Sequence, residues 1–225
     1  MKIGVIAAHP DDEVLGCGAT MARLALEHEV HVALLGEGYA SRSVARDAAV
    51  EAELARLHEA AHQVASMLGV RSLKIGSFPD NQFDRVALLD IVRWVEAWLA
   101  EVRPTVVYTH HPGDLNVDHR LTFQALLTAT RPMPGCGVRE VYTFEAPSST
   151  EWAFQRLEPA FRPNTFVDVS ETIEMKIKAL EAYAGEARPF PHPRSPEALR
   201  AVSQRWGSVA GLLNAEAFEL IRAIR

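Results

Sequence analysis

With 225 residues, 48% of them hydrophobic and 23% charged, the chain has the size and make-up of one globular domain with a substantial core. Its formal charge of −6 disfavours nucleic acid and anionic membranes as partners, and no stretch reaches the ~20 apolar residues of a membrane span. Cys17 and Cys136 form no disulfide framework, and Lys2 with the short apolar run after it reads as a strand rather than a signal peptide, so a cytoplasmic, reducing setting is expected.

In chain order, Lys2 to Ala8 is a buried strand ending at His9-Pro10, and Asp11 or Asp12 caps a helix running to about Glu27. Val30 to Leu35 is a second strand, closed by Gly36-Glu37-Gly38. Asp47 to Leu68 has helical spacing of Ala and Leu, with Gly69 as its stop. Ser72 to Phe78 is a third strand, followed by the turn Pro79-Asp80-Asn81. Val86 to Val102 places Leu88, Ile91, Val92, Val95 and Leu99 on one helical stripe. Thr105 to Thr109 is a fourth strand and Leu121 to Thr130 a helix. Arg139 to Phe144 and Thr165 to Val169 are later strands, whereas Glu171 to Tyr183 and Pro196 to Arg222 read as mainly helical. The stretch 188–196 carries four prolines and reads as a stiff surface loop, either a plain connector or a rim that brings His192 or Arg194 near a ligand.

Strands alternating with helices predict a single α/β domain over 1–225: a Rossmann-like, doubly wound, mainly parallel sheet in a three-layer α/β/α arrangement. The usual opening order 3-2-1-4 sets strands 1 and 4 side by side, with a ligand crevice beyond their carboxyl ends. Two polar clusters follow those two strands: His9-Pro10-Asp11-Asp12-Glu13, and His110-His111-Pro112-Gly113-Asp114-Leu115-Asn116-Val117-Asp118-His119. Imidazole and carboxylate are the ligands of hydrolytic zinc. A tight turn lets His9 and Asp12 reach one ion, and His119 closes the set from the other loop. Asp11 is then the natural general base, Asp118 or Asp114 orients a ligand imidazole, and Glu13 faces into the helix.

The pair HPDDE and HPGDLNVDH resembles the PIG-L/LmbE family of zinc-dependent N-deacetylases, with weaker likeness through the Arg56-to-Gly69 helix, the Phe78-Pro79-Asp80-Asn81 turn, the Phe161-to-Val169 strand region and Ala215-Glu216-Ala217-Phe218. The resemblance implies one Zn2+ per chain on His9, Asp12 and His119, other divalent ions being acceptable to such ligands, with Asp11 as base. It implies an N-acetylated amino sugar or sugar conjugate as substrate, contacted by Arg56 and Asp80, and a chain that can assemble into a homo-oligomer. Where several members carry a histidine, this chain has Asn116, which can donate a hydrogen bond to an oxyanion but cannot carry a proton. Proton transfer then falls to Asp11 alone, or to His110 or His111. Two other readings stay open: a two-metal phosphoester hydrolase, and a metal- or sugar-binding protein without catalysis.

Overall fold

The computed structural model describes residues 1–39 and 47–225. Its main elements in order are β1 (Lys2–Ala7), α1 (Asp12–Leu24), β2 (Glu29–Gly36), α2 (Ala48–Met67), β3 (Ser72–Phe78), α3 (Leu88–Val102), β4 (Val106–His110), α4 (Val117–Ala129), β5 (Glu140–Phe144), β6 (Thr165–Asp168), α5 (Ile173–Ala182), α6 (Pro196–Ala210) and β7 (Ala215–Ala223). The strands form one sheet in the order β3-β2-β1-β4-β5-β7-β6. Neighbours from β3 to β5 pair in parallel, and β7 runs antiparallel to both β5 and β6.

Alternation along β1 splits the interior into two cores. Ile3, Val5 and Ala7 face one side with Val14 of α1, Val64 of α2 and Ile177 of α5. Ile6 faces the other, with Ile91, Val95 and Trp98 of α3 and Leu126 of α4. Helices therefore cover both faces, as parallel strands buried on both sides require. Because β1 and β4 are neighbours whose following helices lie on opposite faces, their carboxyl ends open onto the crevice that the sequence predicts.

Two expectations need correction. Helix α4 starts at Val117, not Leu121, because the Asn116 side chain accepts a hydrogen bond from the Asp118 amide and caps the helix. Asp118 and His119 thus sit on its first turn, which fixes where they point. The helical reading of Pro196 to Arg222 holds only to Ala210. Gly211 adopts a left-handed φ of 74° and ends α6, and Ala215–Ala223 becomes β7. Ala, Glu and Leu favour helix intrinsically, but insertion between β5 and β6 overrides that preference.

Helix α1 is broken at Cys17 (φ −148°, ψ 26°), and a buried ion pair bridges the break. Glu216 of β7 accepts from the amides of Ala19 (3.3 Å) and Thr20 (2.7 Å), while Lys176 of α5 donates to the Leu15 carbonyl (2.8 Å) and to Glu216 (2.6 Å). Gly16 beside the break is needed for close approach, since a Cβ there would lie 2.2 Å from the Phe144 ring. Lys176→Met strands the Glu216 carboxylate in the interior. Such a break in a buried pair costs about 3–5 kcal/mol, to be read as a lower urea midpoint; an unchanged midpoint refutes the assignment.

Candidate active site

The turn after β1 is held by the Asp12 carboxylate, which accepts from the His9 amide (3.0 Å), and by the Asp12 amide, which donates to the His9 carbonyl (3.3 Å). This closure points the His9 ring and the Asp12 carboxylate the same way. Across the crevice, the first turn of α4 brings His119 to them. Asp12 Oδ2 lies 3.2 Å from His9 Nδ1 and 3.1 Å from His119 Nε2. All three residues are buried.

The far ring nitrogens have acidic partners. His9 Nε2 is 2.9 Å from Asp118 Oδ2 and 3.3 Å from Asp80 Oδ1. His119 Nδ1 is 3.2 Å from Asp114 Oδ1. Asp118 is anchored by the Phe83 amide (2.9 Å), and Asp114 accepts from the Asn116 amide and from the Ser149 and Thr150 hydroxyls. Asp118 thus stands behind the His9 imidazole and Asp114 behind that of His119.

The other two histidines of the second cluster do not line the cavity. His110 lies beneath His119, ring centroids 3.8 Å apart, and accepts from the Ala8 amide at 2.9 Å. Burial and the neighbouring His119 charge push it down to about 3, so it is a neutral packing group. His111 is tied to Glu219 (3.0 Å) and to the Pro159 carbonyl (2.7 Å).

The donor set fits a divalent cation. Separations of 3.1 and 3.2 Å between donor atoms are close to the roughly 3.3 Å edge of a tetrahedron with ~2.0–2.1 Å metal–ligand bonds. The charge distribution agrees. Burial opposes the charged form of His9, yet hydrogen bonds to Asp118 and Asp12 raise it to about 10. Burial likewise opposes charge on His119, but Asp12 and Asp114 raise it to about 9. The acidic partners favour positive charge at both imidazoles, and a metal ion would compete with protons for the same lone pairs. His9, Asp12 and His119 form one such buried triad, their donor atoms all within 4.8 Å of one another.

Beside the triad lies a cavity of about 140 Å³ lined by Asp11, Asp80, Asn81, Asn116, Ser148 and Arg194 among others. Burial raises the Asp11 carboxyl well above its usual range, opposed by Arg194 and assisted by Asp12 and Glu186. Arg194 Nη1 donates to Asp11 Oδ2 at 2.7 Å and to Glu186 at 2.9 Å, and its Nε donates to Ser148 Oγ at 2.8 Å. The proline-rich loop is therefore a wall of the cavity, not a plain connector. Its stiff course, ended by the Ser195 cap and Pro196 of α6, was the available signal. Asn116 spends its Oδ1 on the α4 cap, and its Nδ2 donates to Asn81 at 3.0 Å. Asp80 lines the cavity. Arg56 does not: its side chain is 71% exposed on α2 and pairs with Glu53. A larger cavity of about 600 Å³, bounded by Glu96, Arg103 and Val138, lies at the opposite, amino-terminal ends of β4 and β5, away from the triad.

Three comparisons bear on this geometry. Residues 4–130 match the family described as PIG-L: GlcNAc-PI de-N-acetylase. The chain is 28% identical over 184 residues to the uncharacterized deacetylase YaiS of Escherichia coli K12, covering 79% of this chain and 88% of that protein. Among solved structures, N,N'-diacetylchitobiose deacetylase from Pyrococcus horikoshii superposes with a TM-score of 0.78 at 19% identity, over 98% of this chain and 84% of that one. The 4-carboxy-2-hydroxymuconate hydratase GalB from Pseudomonas putida KT2440 superposes at 0.76 with 23% identity, over 100% and 97%. The scaffold thus carries more than one chemistry, and the side chains at the site decide which.

Proposed function

This chain belongs to the PIG-L de-N-acetylase family, and from that premise we propose that it hydrolyses the N-acetyl group of an amino sugar or sugar conjugate. The observation that carries the reading is the convergence of His9 Nδ1, Asp12 Oδ2 and His119 Nε2 beside the buried carboxylate of Asp11. Those three side chains would hold one divalent ion, and imidazole with carboxylate is a donor set that zinc accepts. When bound, the ion supplies Lewis acidity, lowering the pKa of water toward ~7 and polarising the acyl oxygen.

The remaining steps belong to the chain's own groups. Asp11, at the cavity wall, takes a proton from the attacking water and returns it to the departing nitrogen, so the products are acetate and a free amine. Arg194 fixes the orientation of the Asp11 carboxylate through its 2.7 Å bond. The Asn116 amide, oriented by its cap, donates its second Nδ2 hydrogen to the developing oxyanion. His110 and His111 are not placed to move that proton, because neither lines the cavity: His110 packs beneath His119, and His111 is bound at both ring nitrogens. Asp80 accepts from substrate hydroxyls, and Arg194 stands in the cavity where the family resemblance had pointed to Arg56.

Acetate release from a panel of N-acetylated mono- and oligosaccharides, with metal-loaded protein, tests the reading. Release from at least one of them, lost on chelation, is expected; no release from any, with metal bound, overturns it. One metal ion per chain is expected, and two would favour the phosphoester hydrolase. Asp118→Asn weakens the partner of the His9 imidazole. Outer partners of this kind cost about 10–100-fold in metal affinity, measurable by competition with a chromogenic chelator; an unaltered affinity removes Asp118 from the role.

A further inference from the structure

Asp11 has an unusual backbone. Its φ of 103° and ψ of −32° place a residue with a Cβ outside the regions such residues ordinarily occupy. Among the described residues, the other non-glycine residues with positive φ have values between 49° and 70°, close to the φ range of the ordinary left-handed region. A conformation of that kind persists only where surrounding contacts over-determine it. Two contacts do so here. The Asp11 amide donates to Glu13 Oε2 at 3.0 Å, and Glu13 Oε1 accepts from the Tyr183 hydroxyl at 2.6 Å. Glu13 and Tyr183 are both buried. The Asp11 carbonyl meanwhile accepts from the amides of Val14 and Leu15, which start α1.

We propose that Tyr183 and Glu13 are positioning residues for Asp11, holding its backbone in this turn so that its carboxylate faces the cavity. The proposal rests on the reading of Asp11 as the base. The side chain of Asp11 is tethered to the same stretch of chain, since Arg194 joins it to Glu186, whose amide donates to the Tyr183 carbonyl at 3.1 Å. Residues 183–186, just beyond α5, therefore hold the backbone of Asp11 through Glu13 and its carboxylate through Arg194. A carboxylate at position 13 can accept both hydrogen bonds, one on each oxygen. A glutamine amide offers one acceptor oxygen, so one of the two contacts must reverse direction or break, and the charged tether is lost either way. This gives the final acid of HPDDE a task separate from metal binding.

The test uses Tyr183→Phe and Glu13→Gln, the first being the milder change and the safeguard if the second fails to fold. Crystal structures of both are expected to show Asp11 relaxed to a negative φ with its carboxylate turned from the cavity; a retained φ near 103° in the Tyr183→Phe protein overturns the proposal. Kinetically, kcat is expected to fall roughly 10–100-fold, the scale of small misplacements of a reacting group, with KM and metal affinity unchanged. In an Asp11→Asn background the same substitutions are expected to cost nothing more. A further loss there marks a general structural role and overturns the proposal. Should the unmodified protein release no acetate from any sugar, the deacetylase reading falls, while the backbone conformation of Asp11 in the variants still decides this one.

Discussion

Replacing Asp11 with asparagine is expected to lower acetate release by about 10²–10⁴-fold, the usual contribution of a positioned general base. Asparagine is the informative choice because it tolerates positive φ better than alanine does, and the backbone at this position has a φ of 103°. The substitution keeps the shape of the turn and removes only the proton acceptor. Arg194 retains Glu186 at 2.9 Å, so no buried cation is left without a partner. Metal content is expected to stay at one ion per chain, since Asp11 is not among the three converging donors. Turnover within a few-fold of the unmodified enzyme, with full metal content, would falsify the base assignment.

Asp12→Asn is expected to act at the other end of the chemistry, by removing the ion. The Oδ2 atom of Asp12 is the point on which the triad closes: the His9 amide, His9 Nδ1 and His119 Nε2 all lie within 3.2 Å of it. An amide there neutralises the one anionic donor and withdraws the charge that draws cations onto both imidazoles. Metal retained after dialysis is expected to fall well below one per chain, a larger effect than the ~10–100-fold loss expected of an outer partner. Activity is expected to fall in step and to return in part when excess metal is added. Elemental analysis of the dialysed protein, with circular dichroism to establish that it is folded, is the measurement. A full complement of metal would remove Asp12 from the ligand set.

The two proposals separate because adjacent residues do different work. In the Asp11-Asp12 pair, the first side chain turns outward to Arg194 and the cavity, and the second inward to the histidines. The reversed backbone at Asp11 produces that divergence, and Glu13 holds it.

Much of this was legible in the chain. Apolar runs of strand length alternating with helical stripes implied a doubly wound sheet. Both polar clusters directly followed the strands that such an order makes neighbours. Local spacing also sufficed for the His9–Asp12 turn, a separation of three residues closed by one carboxylate. Periodicity failed at the carboxyl end, where β7 has helix-favouring residues and is made a strand by its neighbours β5 and β6. It failed again at α4, where the cap is supplied by Asn116, a residue with another apparent use.

Residue types and spacing, then, determined the fold class, the family and the two halves of the His/Asp cluster, because these depend on short-range pattern and on strand order. Tertiary structure alone decided which cation reaches Asp11. Arg194 and Arg56 are both plausible in the sequence, but α2 turns one to solvent while the proline-rich loop carries the other 183 positions back to Asp11. It alone decided, too, that Tyr183 meets Glu13 across 170 residues. Contacts of that separation follow from how helices pack on the sheet, and no local pattern in the chain encodes them.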